Sequence, residues 1–249
     1  MGKPYDIAVA AGRSFYRLWF ASAPLHDVER CFPEAERLQR HWREIRQEAL
    51  QLPGGLDRIP RVHEFFESQM ELSDSDPLAW RYFVLRAFGR DQVANQALCP
   101  VTARLVRAMP EAIAAGFAVM DGGKRLAPHR GPYAGMLRYH LGLVVPPAAA
   151  GAAPSGLRIA DAVRVWREGE GFLFDDSFEH EAWNNADSPR IVLIVDIRHP
   201  DVPAVLRAID RAIFFVVTRL PFVARFLAQG EVSPDRPKAA PGLARPAEP

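Results

Sequence analysis

The 249-residue chain predicts a mainly β domain, a sandwich or jelly roll, with helices before it and one helix after it. Three observations predict this. From Ala112 onward the segments AGFAVMD, KRLAPHRG, LRYHLGLVVP, GLRIADAVRVW, GFLFDD, HEAWN and RIVLIVDI are short, rich in β-formers, and divided by Gly, Pro and Asp-Asp turns. About seven or eight such strands in succession is the pattern of two packed antiparallel sheets. Upstream the period is helical, and PAVLRAIDRAIFFVVTRL downstream is helical again.

Taken in order, residues 1–110 read as a helical region packing on the core. FPEAERLQRHWREIRQEALQL carries Pro33 near its first turn and Leu38, Trp42, Ile45 and Leu50 at helical spacing. DPLAWRYFVLRAF (76–88) and CPVTARLVRAM (99–109) read as further short helices. Residues 111–203 form the β core. Within it PPAAAGAAPSG (146–156) is a low-complexity loop, read as a tolerated insertion in preference to a flap. In the C-terminal helix expected over 204–230, Leu206, Ile209, Ile213, Val216 and Leu220 share a stripe expected to dock on the core. Phe214 and Phe215 fall instead among Arg207, Arg211 and Arg219. That suits either a second packed layer or a contact with a membrane surface or partner. The tail 231–249 is rich in Pro and Ala and expected to be disordered.

Composition narrows the function classes. A net charge of +1 gives no field for nucleic acid, so no nucleic-acid partner is expected. Cys31 and Cys99 have no metal-type spacing and fit a reducing compartment. The opening residues lack a signal-peptide pattern. No apolar run reaches the roughly 18 residues that cross a bilayer. The expected location is cytoplasmic, with peripheral contact on the inner membrane face left open.

The chemistry concentrates between Pro128 and Pro200. His129 and His180 stand at the ends of strand-like runs, and Arg138, His140 and Arg190 are basic groups in otherwise apolar strands. As a strand, LRYHLGLVV puts Arg138, His140 and Gly142 on one face and Tyr139, Leu141 and Leu143 on the other. Buried cations require anions. The pattern therefore points to a metal site that holds a small dicarboxylate.

The motifs PHRGP, LRYHLGLVVP, W-x-EG (Trp166 to Gly169), FDDSFEHEAWN and RIVLIVDIRHP resemble the aspartyl/asparaginyl β-hydroxylase family. The helical lead-in FPEAERLQRHWREIRQEALQL is similar to that of bacterial members, including lipid A 2-hydroxylases. The resemblance implies a double-stranded β-helix (cupin-like jelly roll) and a dioxygenase that uses iron(II), 2-oxoglutarate and dioxygen. It implies His129 and His180 as metal ligands, and Asp176 as an acceptor for metal-bound water or imidazole. Arg138, His140 and Arg190 would line the cofactor and substrate pocket, with Arg190 on the far carboxylate of 2-oxoglutarate. Where many non-haem iron enzymes place a third, carboxylate ligand, this chain has Gly131. Peptidyl members share that glycine, and in some halogenases a small residue there admits halide. Ala118 replaces a serine that contacts 2-oxoglutarate in peptidyl members, and Met136 replaces an arginine that grips the substrate carboxylate. The implied substrate is an Asp or Asn residue or small amino acid derivative. The alternatives are a lipid-linked acyl chain at the membrane surface, and a catalytically silent cupin-like binder.

Overall fold

The computed structural model describes residues 14–16, 18–64 and 76–232. Residues 1–13 and most of the predicted tail lie outside the described residues. Three strands precede the core: β1 (Leu25–His26), β2 (Trp80–Ala87) and β3 (Arg90–Asp91). Eight more build it: β4 (Ala112–Met120), β5 (Arg125–His129), β6 (Met136–Val144), β7 (Gly156–Ile159), β8 (Ala162–Val165), β9 (Gly171–Phe174), β10 (His180–Trp183) and β11 (Arg190–Arg198). One sheet runs β1-β9-β6-β11-β4-β2-β3 and the other β5-β10-β7-β8. From β4 onward the chain keeps crossing between the sheets, pausing only at the β7–β8 hairpin. That winding is the expected double-stranded β-helix.

A period of two explains the layers. In β11, Ile191, Leu193, Val195 and Ile197 join the cluster that also holds Phe32, Leu38, Ile45 and Val106. Val192 and Ile194 join the cluster between the sheets, with Leu157, Trp166 and Ala182. RIVLIVDI is nearly all apolar because both of its faces are buried. In β6, Tyr139, Leu141 and Leu143 take the outer layer, which turns Arg138 and His140 inward.

The outer face of the larger sheet is covered by α1 (Val28–Cys31), α2 (Ala35–Arg40), α3 (Trp42–Leu50), α4 (Val93–Leu98) and α5 (Pro100–Arg107). The helix predicted as continuous over 33–52 breaks at His41, between α2 and α3. Glu48 of α3 accepts from the Val101 and Thr102 amides, at 2.7 and 2.9 Å, and from the Thr102 hydroxyl at 2.6 Å. It thereby satisfies amides that the first turn of α5 leaves free.

Two expectations are corrected. Residues 76–88 contain a strand, not a helix. β2 pairs with β4, Phe83 opposite Phe117, and its YFVL run is apolar because both faces are covered. A short apolar run cannot be told from a helix by period alone. Residues 1–110 are therefore not solely helical, since they lend β1, β2 and β3 to the main sheet.

The other correction concerns the C-terminal segment: the single helix expected over 204–230 is two, α6 (Ala204–Val217) and α7 (Pro221–Gln229), bent by 73° where Pro221 opens the second. On α6 only Leu206 and Asp210 are buried. Leu206 packs with Tyr16, Ala134 and Val202, and the Tyr16 hydroxyl donates to Asp210. That polar anchor rotates Ile209, Ile213 and Val216 outward, and Leu220 beyond the helix is exposed too. Phe214 is half-buried against Tyr133. The 146–156 loop is tied to the end of β10, with Trp183 Nε1 donating to the Pro154 carbonyl at 2.9 Å and the Ala149 amide donating to the Asn185 carbonyl at 2.7 Å.

Candidate active site

β5 is an edge strand of the smaller sheet, so Pro128 removes no needed ladder bond. Its last residue, His129, pairs directly with His180, the first residue of β10. The two rings lie 4.1 Å apart between centroids. Each Nδ1 sits on a backbone carbonyl: His129 on Ala127 at 2.7 Å and His180 on Phe178 at 2.9 Å. These contacts fix Nδ1 as the protonated nitrogen and leave each Nε2 lone pair available. Burial lowers the pKa of both, and with the neighbouring His129 it brings His180 down to about 3. Two neutral imidazoles with free Nε2 atoms are the form that binds a metal. Among the described residues no group of three His, Cys, Asp or Glu side chains forms a complete metal cage.

Asp176 stands beside this pair. The turn that carries it is held by the Ser177 amide donating to Asp175 Oδ1 at 2.9 Å, and the Gly131 amide donates to the Asp176 carbonyl at 2.7 Å. A Cβ on Gly131 would collide with the Asp176 carboxylate. The acid from the β9–β10 turn thus fills the space that a side chain at 131 would take. Arg138 reaches Asp176 at 3.1 Å and holds Asp196 in a two-pronged pair at 2.7 and 2.8 Å. Burial opposes the charge on Arg138, and the two carboxylates more than offset it, so the guanidinium stays protonated.

Deeper between the sheets lie Arg190 and His140. Arg190 is 3% exposed, and its Nε and one terminal nitrogen have no partner among the described residues. The other nitrogen contacts Met120 Sδ at 3.2 Å, and the guanidinium lies 3.7 Å from the Trp166 ring centroid. Burial pulls its pKa down to about 9. His140 also lacks partners at both ring nitrogens, and burial first, then Arg138 and Arg190, push its pKa well below the usual value. The Phe174 ring connects the two levels, 5.0 Å from His140 and 5.8 Å from His180. Ala118, opposite Val192, is buried in the same inter-sheet layer. Met136 is buried at the start of β6, opposite Arg198.

The structure therefore brings His129, His180, Asp176 and Arg138 to one end of the barrel interior and sets Arg190 with His140 further in. Sequence reasoning named Trp166 only within a motif, without its place under the Arg190 guanidinium, and missed Asp196, which occupies Arg138. The parity of β11 carried the signal for Asp196. It shares a face with Arg190, Val192 and Ile194, and an acid there needs a cation across the ladder.

Residues 39–200 match the family model described as aspartyl/asparaginyl beta-hydroxylase. An ornithine lipid ester-linked acyl 2-hydroxylase from Rhizobium tropici is 32% identical over 226 residues, 86% of this chain and 78% of that protein. The aspartyl/asparaginyl beta-hydroxylase of Homo sapiens is 34% identical over 173 residues, 66% of this chain but 21% of that protein. Among solved structures, a cupin domain from Bordetella pertussis aligns with a TM-score of 0.27 at 14% identity, covering 35% of this chain and 83% of that one.

Proposed function

The chain belongs to the aspartyl/asparaginyl β-hydroxylase family, and from that premise we propose that it is an iron(II)- and 2-oxoglutarate-dependent dioxygenase that hydroxylates an sp³ carbon of a lipid-linked acyl chain. One observation carries the cofactor reading. Arg190 is a fully buried cation with unpartnered nitrogens and no carboxylate paired to it among the described residues, beside an unpartnered His140. Such a charge is costly unless an anion meets it. The distal carboxylate of 2-oxoglutarate has the planar, two-oxygen shape that a guanidinium matches. His129 and His180 would hold iron(II) through Nε2, and Asp176 would orient water beside the metal. When bound, iron and 2-oxoglutarate together supply the oxidising power to activate dioxygen and hydroxylate an unactivated C–H bond.

The chain's own residues do the rest. Arg138 fixes the Asp176 carboxylate, and Asp196 fixes Arg138. Phe172, Phe174 and Trp166 wall the pocket and keep water from the cofactor's far end.

The substrate reading rests on Arg138 and Met136. Arg138 already faces two carboxylates, Asp196 through Nε and one terminal nitrogen and Asp176 through the other, so its charge is met within the protein and a substrate carboxylate would compete with both. Met136 adds an apolar, adaptable side chain nearby. Both favour an acyl chain over an Asp or Asn residue. The coverage of the Rhizobium acyl 2-hydroxylase, 86% of this chain, supports the same choice. The carboxylate of Asp176 beside Gly131 weighs against halide entry, since two anions would share one space. The unsatisfied Arg190 weighs against a silent binder without an anionic cofactor.

The test is turnover of ornithine lipid and of other ester-linked acyl lipids by the full chain with iron(II), 2-oxoglutarate and dioxygen. Succinate should form in step with a one-oxygen mass gain on the acyl group, and Arg190→Met should abolish both. Hydroxylation of an Asp-containing peptide in place of the lipids would reject the substrate. Turnover unchanged by omission of 2-oxoglutarate would reject the cofactor.

A further inference from the structure

The outward face of α6 is largely uncovered among the described residues, except that the Arg219 guanidinium lies 3.5 Å from the Phe215 ring centroid. Val205, Ile209, Ile213, Phe215 and Val216 are between 45% and 69% exposed. At 100° per residue they lie with Ala208 and Ala212 on one continuous apolar arc of about 160° that contains no charge. Leu220 and Phe222 extend the exposed apolar surface into the bend before α7. Beside α6, Tyr16 packs on Leu206 and donates to Asp210, while its neighbours Phe15, Leu18 and Trp19 are exposed. An aromatic group with a polar edge, such as Trp19, suits the bilayer interface.

The flank of the arc is basic. Arg207 and Arg211 stand next to each other on α6 at the boundary with the core. They line a cleft of about 300 Å³ together with Arg30 and Arg198; Arg198 and Arg211 share Glu111 at 3.3 and 3.6 Å, Arg30 pairs with Asp201 at 2.9 Å, and Glu34 lies on the same wall, so the four arginines outnumber the acids by one. An apolar face edged by arginines complements a layer of acidic headgroups over acyl chains. No single described helix is long and apolar enough to cross a membrane; α6 and α7 reach that length and apolarity only together, as a pair bent by 73°. The 14 residues of α6 rise about 21 Å, short of a hydrocarbon core of about 30 Å. The bend, with the buried Asp210 tying α6 to Tyr16, favours lying in the interface.

We propose that α6, the start of α7 and the exposed side chains of Phe15, Leu18 and Trp19 form a monotopic docking surface for an anionic bilayer, with the arginine cleft facing its acidic headgroups. The docked end of α6 packs on Tyr133 and Ala134, in the loop joining His129 to Met136. The surface thus adjoins the histidine and Arg138 end of the barrel. The link from docking to turnover rests on the acyl-chain reading; docking itself does not.

Flotation of the full chain, without iron or 2-oxoglutarate, separates the two. The vesicles are phosphatidylcholine with or without phosphatidylglycerol, and the variant is Ile209→Glu/Ile213→Glu, whose positions are exposed and leave the fold intact. Wild type should float with the anionic vesicles about five-fold or more better than the variant, and less well in high salt or on phosphatidylcholine alone. Arg207→Ala/Arg211→Ala should lose the anionic preference. Wild type that stays at the bottom, or a Glu variant that floats equally well, overturns the proposal. So does a wild-type dimer that the Glu variant splits without any vesicle binding, because a second copy would then be the occupant. Loss of turnover on dispersed lipid with flotation intact would instead count against the acyl-chain reading.

Discussion

Arg190 is buried with nitrogens left unpartnered, and burial pulls its pKa from the ordinary guanidinium range down to about 9. Below pH 9 the folded state carries a charged group that it disfavours. Above that, it releases the proton more readily than the unfolded chain does, and the penalty fades as pH rises towards the ordinary guanidinium range. Arg190→Met should therefore raise the melting temperature of the cofactor-free protein at pH 7, and the gain should shrink above pH 9. It should also remove the thermal shift that 2-oxoglutarate gives wild type. A lower melting temperature for the variant at pH 7 would mean that the guanidinium has found a partner. Gly131 makes a second point at this scale. Gly131→Asp would force a side chain into the Asp176 carboxylate, adding steric and like-charge conflict of about 1–3 kcal/mol. Adding Asp176→Ala should recover most of that loss. Urea midpoints of the single and double variants measure it, and a neutral Gly131→Asp would show that the space is not shared.

Among the elements, the strands from β4 to β11 were legible because each alternates between two different burial layers or ends on a turn residue. Histidines and arginines on inner faces stood out against that alternation. β2 was not legible: with Phe83 and Leu85 buried outward and Val84 buried on the opposite face, period two disappears, and only the pairing with β4 reveals a strand. The orientation of α6 was hidden for a different reason. A hydrophobic stripe shows that a face needs cover but does not say by what, and a single acid, Asp210, bonded to a distant tyrosine decides which face docks. The role of Arg138 was hidden likewise, since Asp196 sits 58 residues away. Glu48 shows how such distant contacts join elements. It is on α3, yet it caps the first turn of α5 with three bonds. Glu48→Ala should destabilise the protein by about 1–2 kcal/mol, the worth of a lost cap, while 2-oxoglutarate binding stays unchanged. Thermal melts with and without 2-oxoglutarate would check both halves of that expectation.

At the scale of the molecule, the eight core strands do not form an independent unit. β4 is a nine-residue strand whose outer edge is closed by β2, and β9 is closed on its outer side by β1. Both partners come from the first 110 residues. The outer face of the larger sheet, including Phe117, Leu141, Leu193 and Val195, is buried only where Phe32, Leu38, Ile45 and Val106 pack on it. Removing residues 1–110 would expose that face and two strand edges together. Uncovered apolar edges of this kind recruit other chains. A chain beginning at Glu111 should therefore be recovered as aggregate or as a species without a cooperative melt, whereas one beginning at Ser14 should unfold cooperatively. The two are compared by light scattering and near-UV circular dichroism. A monomeric, cooperatively melting fragment 111–249 would show that the β-helix stands alone and that the N-terminal region is only an accessory. The expected result makes the helices and strands before Glu111 structural parts of the pocket, because β11, which carries Arg190 and Asp196, lies between β6 and the β4 edge that they close.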